Sequence, residues 1–213
     1  PLVLGVLRKL DVATLIDSLI PAHDEQVVSA GRAVEALVLS ILDGHHALYK
    51  VGRRLDERGM LPLLQPELEP ESLHDTRLGQ TLDALFDANL GEVFSTIALQ
   101  ALKTYQVETP WIHQDTTTIS LYGAYEEVRP DDRGPRPSYG YSKDGRGDLK
   151  QVLLSLGVSG DGGLPLRMGL HDGNLSDSVD VPNAIEQSVS FSLDGLHGIV
   201  ADSKAYTQRT LGL

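Results

Sequence analysis

The sequence predicts an α+β chain of two domains, an all-α unit over residues 1–107 followed by a unit over residues 108–213 built on a mixed sheet. Three observations predict it. Apolar residues recur at three- and four-residue spacing through most of the first half. After Thr109-Pro110 the pattern changes to alternation and short continuous apolar runs. One helical segment then separates the third strand-like run from the fourth. A chain of 213 residues encloses enough interior for a hydrophobic core, and it contains no cysteine, which rules out disulfides, thiolate zinc sites and a cysteine nucleophile.

Taken in order, residues 6–20 read as a first helix. Val34, Leu37, Val38, Ile41 and Leu42 form an apolar stripe behind a cap at Ser29. Residues 45–58 are also helical by pattern, whereas Pro62 to Pro70, with Glu67 and Glu69, reads as a loop. Asp75 opens a stripe through Leu78, Leu82, Leu85 and Phe86. Gly91 opens another through Val93, Phe94, Ile97, Leu99, Leu102 and Tyr105. The expectation is a unit of about five helices.

In the second half, WIHQDTTTISL (Trp111 to Leu121) is strand-like, and QVLLSLGV (Gln151 to Val158) suits a central strand. Leu164, Leu166, Met168 and Leu170 alternate after a hairpin turn at Asp161-Gly162-Gly163. Pro165 lacks a backbone donor, which assigns its strand to a sheet edge. Asp180 and Pro182 start a helix, and HGIVAD (His197 to Asp202) is a fourth, short strand. A helix crossing between two strands makes the first and fourth candidates for parallel neighbours.

Charge restricts the partners. The chain carries 18 basic and 30 acidic residues, a net charge of −12, and both halves share the excess, so any contact with nucleic acid is local. Residues 129–150 form a weak positive patch, with six basic residues (Arg129, Arg133, Arg136, Lys143, Arg146 and Lys150) against four acidic ones (Asp131, Asp132, Asp144 and Asp148). A solvated loop of mixed charge is the competing reading of the same residues. The apolar runs fall short of a bilayer span. The expectation is a soluble, cytoplasmic protein with no membrane partner, although a chain opening on Pro1 leaves targeting unread.

Aspartate is depleted from strands, so Asp115 in the threonine-rich first strand and Asp202 at the end of the fourth need a reason. Neighbouring strands lie about 4.8 Å apart, so the two carboxylates could meet at one point. A divalent cation would relieve their repulsion, since Mg²⁺ takes oxygen ligands and supports phosphoryl transfer from such sites. The alternative is structural, with Asp115 capping a strand edge or pairing with an arginine, and Asp202 capping a helix near Ser203. Among the histidines, His113 is the closest to a catalytic candidate, two residues before Asp115 on the same face. Tyr122, Tyr125, Tyr139 and Tyr141 could stack on bases, with an anchoring role in packing as the more ordinary reading.

The run GYSKDGRGDLKQVLLSLGVSGDGGLPLRMGLHDGNLSDS (Gly140 to Ser178), flanked by HQDTTTISLYG and IVADSKAYT, resembles the insertion-sequence transposases of the DDE class. The helical stretches SAGRAVEALVLSILDG and LHDTRLGQTLDALFDANLGEVFSTIALQAL resemble the domain that precedes the catalytic core in one such group. The resemblance implies an RNase H-like core in which Asp115 and Asp202 are the first two catalytic acids and ligands of Mg²⁺ or Mn²⁺. It also implies DNA partners, both element ends and target, with Lys143, Arg146 and Lys150 against the DNA backbone. Homo-oligomerisation is left open.

The sequence departs from that pattern in two ways, one of them in the basic loop, where Gly145 and Gly147 flank Arg146 in place of bulkier residues or a proline and imply a looser loop. The family's third acid, a glutamate on a later helix, has no counterpart, because Ser203 to Leu213 contains no aspartate or glutamate. The RNase H-like domain is therefore read as incomplete and the chain as an N-terminal fragment, inactive alone in cutting or joining DNA. The alternative function is a non-catalytic remnant that binds DNA or the full-length enzyme.

Overall fold

In the computed structural model the chain forms two compact units, Pro1–Thr104 and Tyr105–Leu213. The structure describes residues 2–20, 26–44, 46–125, 134–142, 145–175 and 198–201. The α+β class holds, with helices in the first unit and a mixed sheet in the second. Among the described residues, no helix is long and apolar enough to cross a membrane.

Among its described residues the first unit contains seven α-helices: α1 (Leu2–Lys9), α2 (Val12–Leu19), α3 (Ala30–Gly44), α4 (Val51–Glu57), α5 (Leu61–Leu64), α6 (Asp75–Asp87) and α7 (Leu90–Tyr105). The single helix expected over residues 6–20 is two. Asp11 takes a left-handed backbone conformation (φ 54°) and accepts a hydrogen bond from the Thr14 hydroxyl at 2.7 Å, so the chain turns between α1 and α2. Aspartate tolerates this region because its short polar side chain bonds locally.

The start of α3 shows how the helices are tied together. The Ser29 hydroxyl accepts from the Arg32 N–H at 3.2 Å, as the sequence suggests, and the Asp17 carboxylate of α2 accepts from the Gly31 N–H at 2.7 Å. Two donors that the helix itself cannot satisfy are thereby paired. The buried face of α3 keeps Leu37 of the stripe read from the sequence and is otherwise rotated from it. Ala33, Ala36, Leu37, Leu39 and Ser40 are buried, while Ile41 and Leu42 are exposed. Small residues win here because α2 approaches closely. A β-carbon on Gly31 would overlap the backbone of Ala13.

A similar rotation occurs in α6, where Arg77, Leu78 and Thr81 are buried and Leu82 and Phe86 are exposed. In α7, Val93, Ala98 and Ala101 are buried, whereas Leu99 is exposed. The Pro62 to Pro70 segment is not a surface loop. Pro62 lies in the first turn of α5, and Leu61, Leu64, Leu68 and Leu73 join Val28, Leu55 and Leu78 in the core. Arg77, itself buried, holds the entry to α3 by donating from Nε and Nη2 to the Val28 carbonyl at 3.2 and 2.8 Å.

Among the described residues, the second unit holds a four-stranded sheet in the order β3-β2-β1-β4, with β1 at Trp111–Leu121, β2 at Lys150–Ser159, β3 at Pro165–Asp172 and β4 at Gly198–Val200. β1 and β2 are antiparallel from Ile112↔Ser159 to Leu121↔Lys150. β2 and β3 form the expected hairpin, with Gly162 and Gly163 at φ 71° and 62° in its turn. Pro165 opens the edge strand, and a bulge beside Gly157 and Val158 breaks the simple alternation read across Leu164 to Leu170. β1 and β4 are parallel neighbours, paired from Trp111↔Gly198 to His113↔Val200. The helix read from Asp180 lies outside the described residues.

The two faces of this sheet are unusual in polarity. Along β1, Ile112, Gln114, Thr116 and Thr118 are buried, and Trp111, His113, Asp115 and Thr117 are exposed. Buried Gln151, Ser155 and Ser159 of β2 share the face of Gln114 and Thr116. The opposite face carries Leu154, Leu156, Met168 and Leu170 beside Asp115.

Candidate functional site

Asp115 sits mid-strand on the exposed face of β1, which answers why a carboxylate is tolerated there: it is not buried. Its Oδ1 accepts from the neighbouring Thr116 N–H at 2.7 Å. His113 and Thr117 flank it on the same face, and Leu156 lies directly across on β2. The parallel ladder between β1 and β4 ends at His113↔Val200. Asp115 is two residues beyond that pair on one strand, and Asp202 is two residues beyond it in sequence on the other. Asp202 and Lys143 lie outside the described residues. Among the described residues, no three histidine, aspartate or glutamate side chains group to hold a metal ion.

Arg146 and Lys150 occur together, away from Asp115. Lys150 pairs with Leu121 at the far end of β1. Six residues of strand therefore separate it from Asp115, about 20 Å at ~3.4 Å per residue. Arg146 is held in a two-pronged ion pair, Nε to Asp148 Oδ1 at 2.8 Å and Nη2 to Oδ2 at 2.7 Å. That hydrogen bond holds the Asp148 carboxyl below the usual carboxylate range and raises the Arg146 guanidinium. The guanidinium also lies 5.7 Å from the centre of the Tyr122 ring. Lys150 Nζ donates to the carbonyls of Ala124 and Tyr125 at 2.8 and 2.7 Å and sits 6.0 Å from the Tyr139 ring centre.

Residues 1–99 match the family described as Domain of unknown function (DUF4277). No curated protein and no solved structure matches the chain. The match covers most of the helical unit, ending within α7 and before the first strand, so it says nothing of Asp115 or the basic loop.

Sequence reasoning missed two features. The packing role, the more ordinary of the two readings of four tyrosines, does not hold, since all are exposed: Tyr122 by 74%, Tyr125 by 44%, Tyr139 by 61% and Tyr141 by 87%. The other is a 2.8 Å hydrogen bond between the Ser155 hydroxyl and His171 Nε2 across β2 and β3. Ser155 is fully buried, so this pair stabilises the sheet and offers no accessible nucleophile.

Proposed function

We propose that the chain is part of a DDE-class DNA transposase, whose whole protein carries out metal-dependent DNA cleavage and strand transfer with Mg²⁺ or Mn²⁺. The observation that carries this reading is the register of the parallel pair. Counting two residues on in sequence from His113↔Val200 reaches Asp115 within β1 and Asp202 beyond the end of β4. Side chains at equivalent steps of adjacent strands share one face, and that face at Asp115 is open to solvent. The donor set is oxygen, which suits Mg²⁺ and Mn²⁺. A cation held there supplies the charge that stabilises phosphodiester displacement. Asp115, as part of this site, orients the group that it holds, and its bond from the Thr116 N–H fixes one carboxylate oxygen.

DNA is the partner, contacted through Arg146, Lys150 and Lys143. Arg146 supplies a fork matched to phosphate, and Lys150 a point charge. The RNase H-like identity of the second unit is part of the same proposal.

The test is Mn²⁺ binding, followed by electron paramagnetic resonance of the free ion, for the intact chain and for Asp115→Asn and Asp202→Asn. Each variant should weaken binding by about tenfold or more, with Asp161→Asn as the unaffected control, because removing one of two carboxylates removes a ligand and a charge. Binding that is equal in all four proteins would overturn the assignment. Circular dichroism checks that each variant is folded.

A further inference from the structure

We propose that the exposed tyrosines at the Leu121 end of β1 form a stacking platform for unpaired DNA bases. This rests on the DNA reading above and deepens it. Three observations support it.

The first is that the aromatic surface is held in place. Ser138 exchanges two backbone hydrogen bonds with Gln151, at 3.1 and 2.9 Å. The buried Gln151 side chain donates from Nε2 to the carbonyls of Tyr141 and Gly173, at 3.3 and 2.8 Å. Gly140 lies so close to the Gly173 carbonyl that a β-carbon would overlap it. With the backbone of Gly140 pinned inward, the residues on either side, Tyr139 and Tyr141, present their rings to solvent. Tyrosine has only two side-chain torsions, so a ring displayed from a fixed backbone loses little entropy on stacking.

The second is that cations lie beside the rings. Arg146 is 5.7 Å from the Tyr122 ring centre, and Lys150 is 6.0 Å from that of Tyr139. Lys150 also binds the carbonyls of Ala124 and Tyr125, tying the Tyr122 loop to the Tyr139 segment. Aromatic rings interleaved with basic groups are the chemistry of single-strand recognition.

The third is charge. Asp148 offsets Arg146, and the chain as a whole is at −12, so phosphate attraction here is modest. Stacking needs no net charge, because each base has a π-face. The occupant is therefore unpaired DNA in preference to intact duplex, whose bases are already stacked on each other.

The experiment measures fluorescence anisotropy of a labelled duplex, the same duplex with a short single-stranded overhang, and the single strand alone. The proteins are wild type, Tyr139→Ala, Tyr141→Ala and the corresponding phenylalanine variants. Wild type should prefer the overhang and the single strand. Each alanine should weaken binding to unpaired DNA about tenfold, leave duplex binding unchanged, and be rescued by phenylalanine. Wild-type affinity for unpaired DNA in both alanine variants, or equal losses on duplex and unpaired DNA, would overturn the platform while leaving the DNA reading standing. Failure of wild type to bind any of the three would remove both.

Discussion

Gly31 of α3 rests its bare Cα against the backbone of Ala13 in α2, leaving no room for a methyl group. Gly31→Ala sets two effects against each other. Alanine favours a helix by about 1 kcal/mol over glycine. Overpacking costs about 1–3 kcal/mol, and the obstruction here is backbone, which cannot rotate away. The expected result is a lower denaturant midpoint for the helical unit in the intact chain. An unchanged or raised midpoint would show that α2 and α3 separate at little cost.

Glu35 is buried within α3, and its carboxylate is paired at 2.6 Å with Arg32, one turn earlier and more than a third exposed. Removing the arginine leaves a buried anion without that partner. A loss of ~3 kcal/mol or more applies to fully buried pairs, so the solvent around Arg32 brings the expectation for Arg32→Ala to about 1–2 kcal/mol. Glu35→Gln in the Arg32→Ala background should recover part of it. Chemical denaturation of the three proteins checks this, and no loss in the single variant would show that water already solvates Glu35.

Thr118 is buried with no partner for its hydroxyl among the described residues. Replacing it with isosteric valine removes an unsatisfied polar group and adds apolar contact. Thr118→Val should therefore raise stability by about 1 kcal/mol. A lowered melting temperature would mean that the hydroxyl is bonded in solution.

The sheet was more legible in the sequence than the helices. The edge position of Pro165, the glycine turn and the parallel pairing of the first and fourth strands each follow from a local rule with few exits. Helix existence was legible too, through caps such as Ser29. Which face a helix buries was not. In α3, Ile41 and Leu42 face solvent, while Leu37 and Leu39 are buried beside Ala33 and Ala36. The exposure of Tyr139 and Tyr141 was hidden as well. It depends on a contact between Gly140 and Gly173 that no local spacing reveals. Asp115 was picked out by residue type alone, whereas the pairing of Arg146 with Asp148 needed coordinates.

The Arg146–Asp148 pair gives a pH-dependent and a salt-dependent expectation. The Asp148 carboxyl is held below its ordinary value of 3.8, chiefly by its hydrogen bond to Arg146. The pair is thus fully formed above that value and is lost as pH falls through the depressed one. A carbon-detected NMR titration should place Asp148 below 3.8 in wild type and return it to that region in Arg146→Ala. Under the DNA reading, Asp148 also competes with phosphate for the same guanidinium edge. Asp148→Asn should then tighten duplex binding several-fold and steepen the salt dependence by about one unit. An unchanged Asp148 midpoint in Arg146→Ala would break the first expectation, and an unchanged slope in Asp148→Asn the second.

The absence of cysteine makes the proposed juxtaposition of Asp115 and Asp202 directly testable by disulfide trapping. Adjacent strands bring paired Cα atoms about 4.8 Å apart, inside the ~4.4–6.8 Å range that a disulfide spans. Ile112 and Ile199 are registered partners, so Ile112→Cys with Ile199→Cys is the positive control. Asp115→Cys with Asp202→Cys should close as readily under mild oxidation, giving a faster-migrating, reductant-sensitive band on a denaturing gel. Shifting one partner by two residues, Thr117→Cys with Asp202→Cys, adds ~6.6 Å along the strand and should close poorly. Closure of the isoleucine pair without closure of the aspartate pair would mean that the strands diverge after Val200. Asp115 would then stand apart from Asp202, and the shared-carboxylate chemistry would lose its geometric basis.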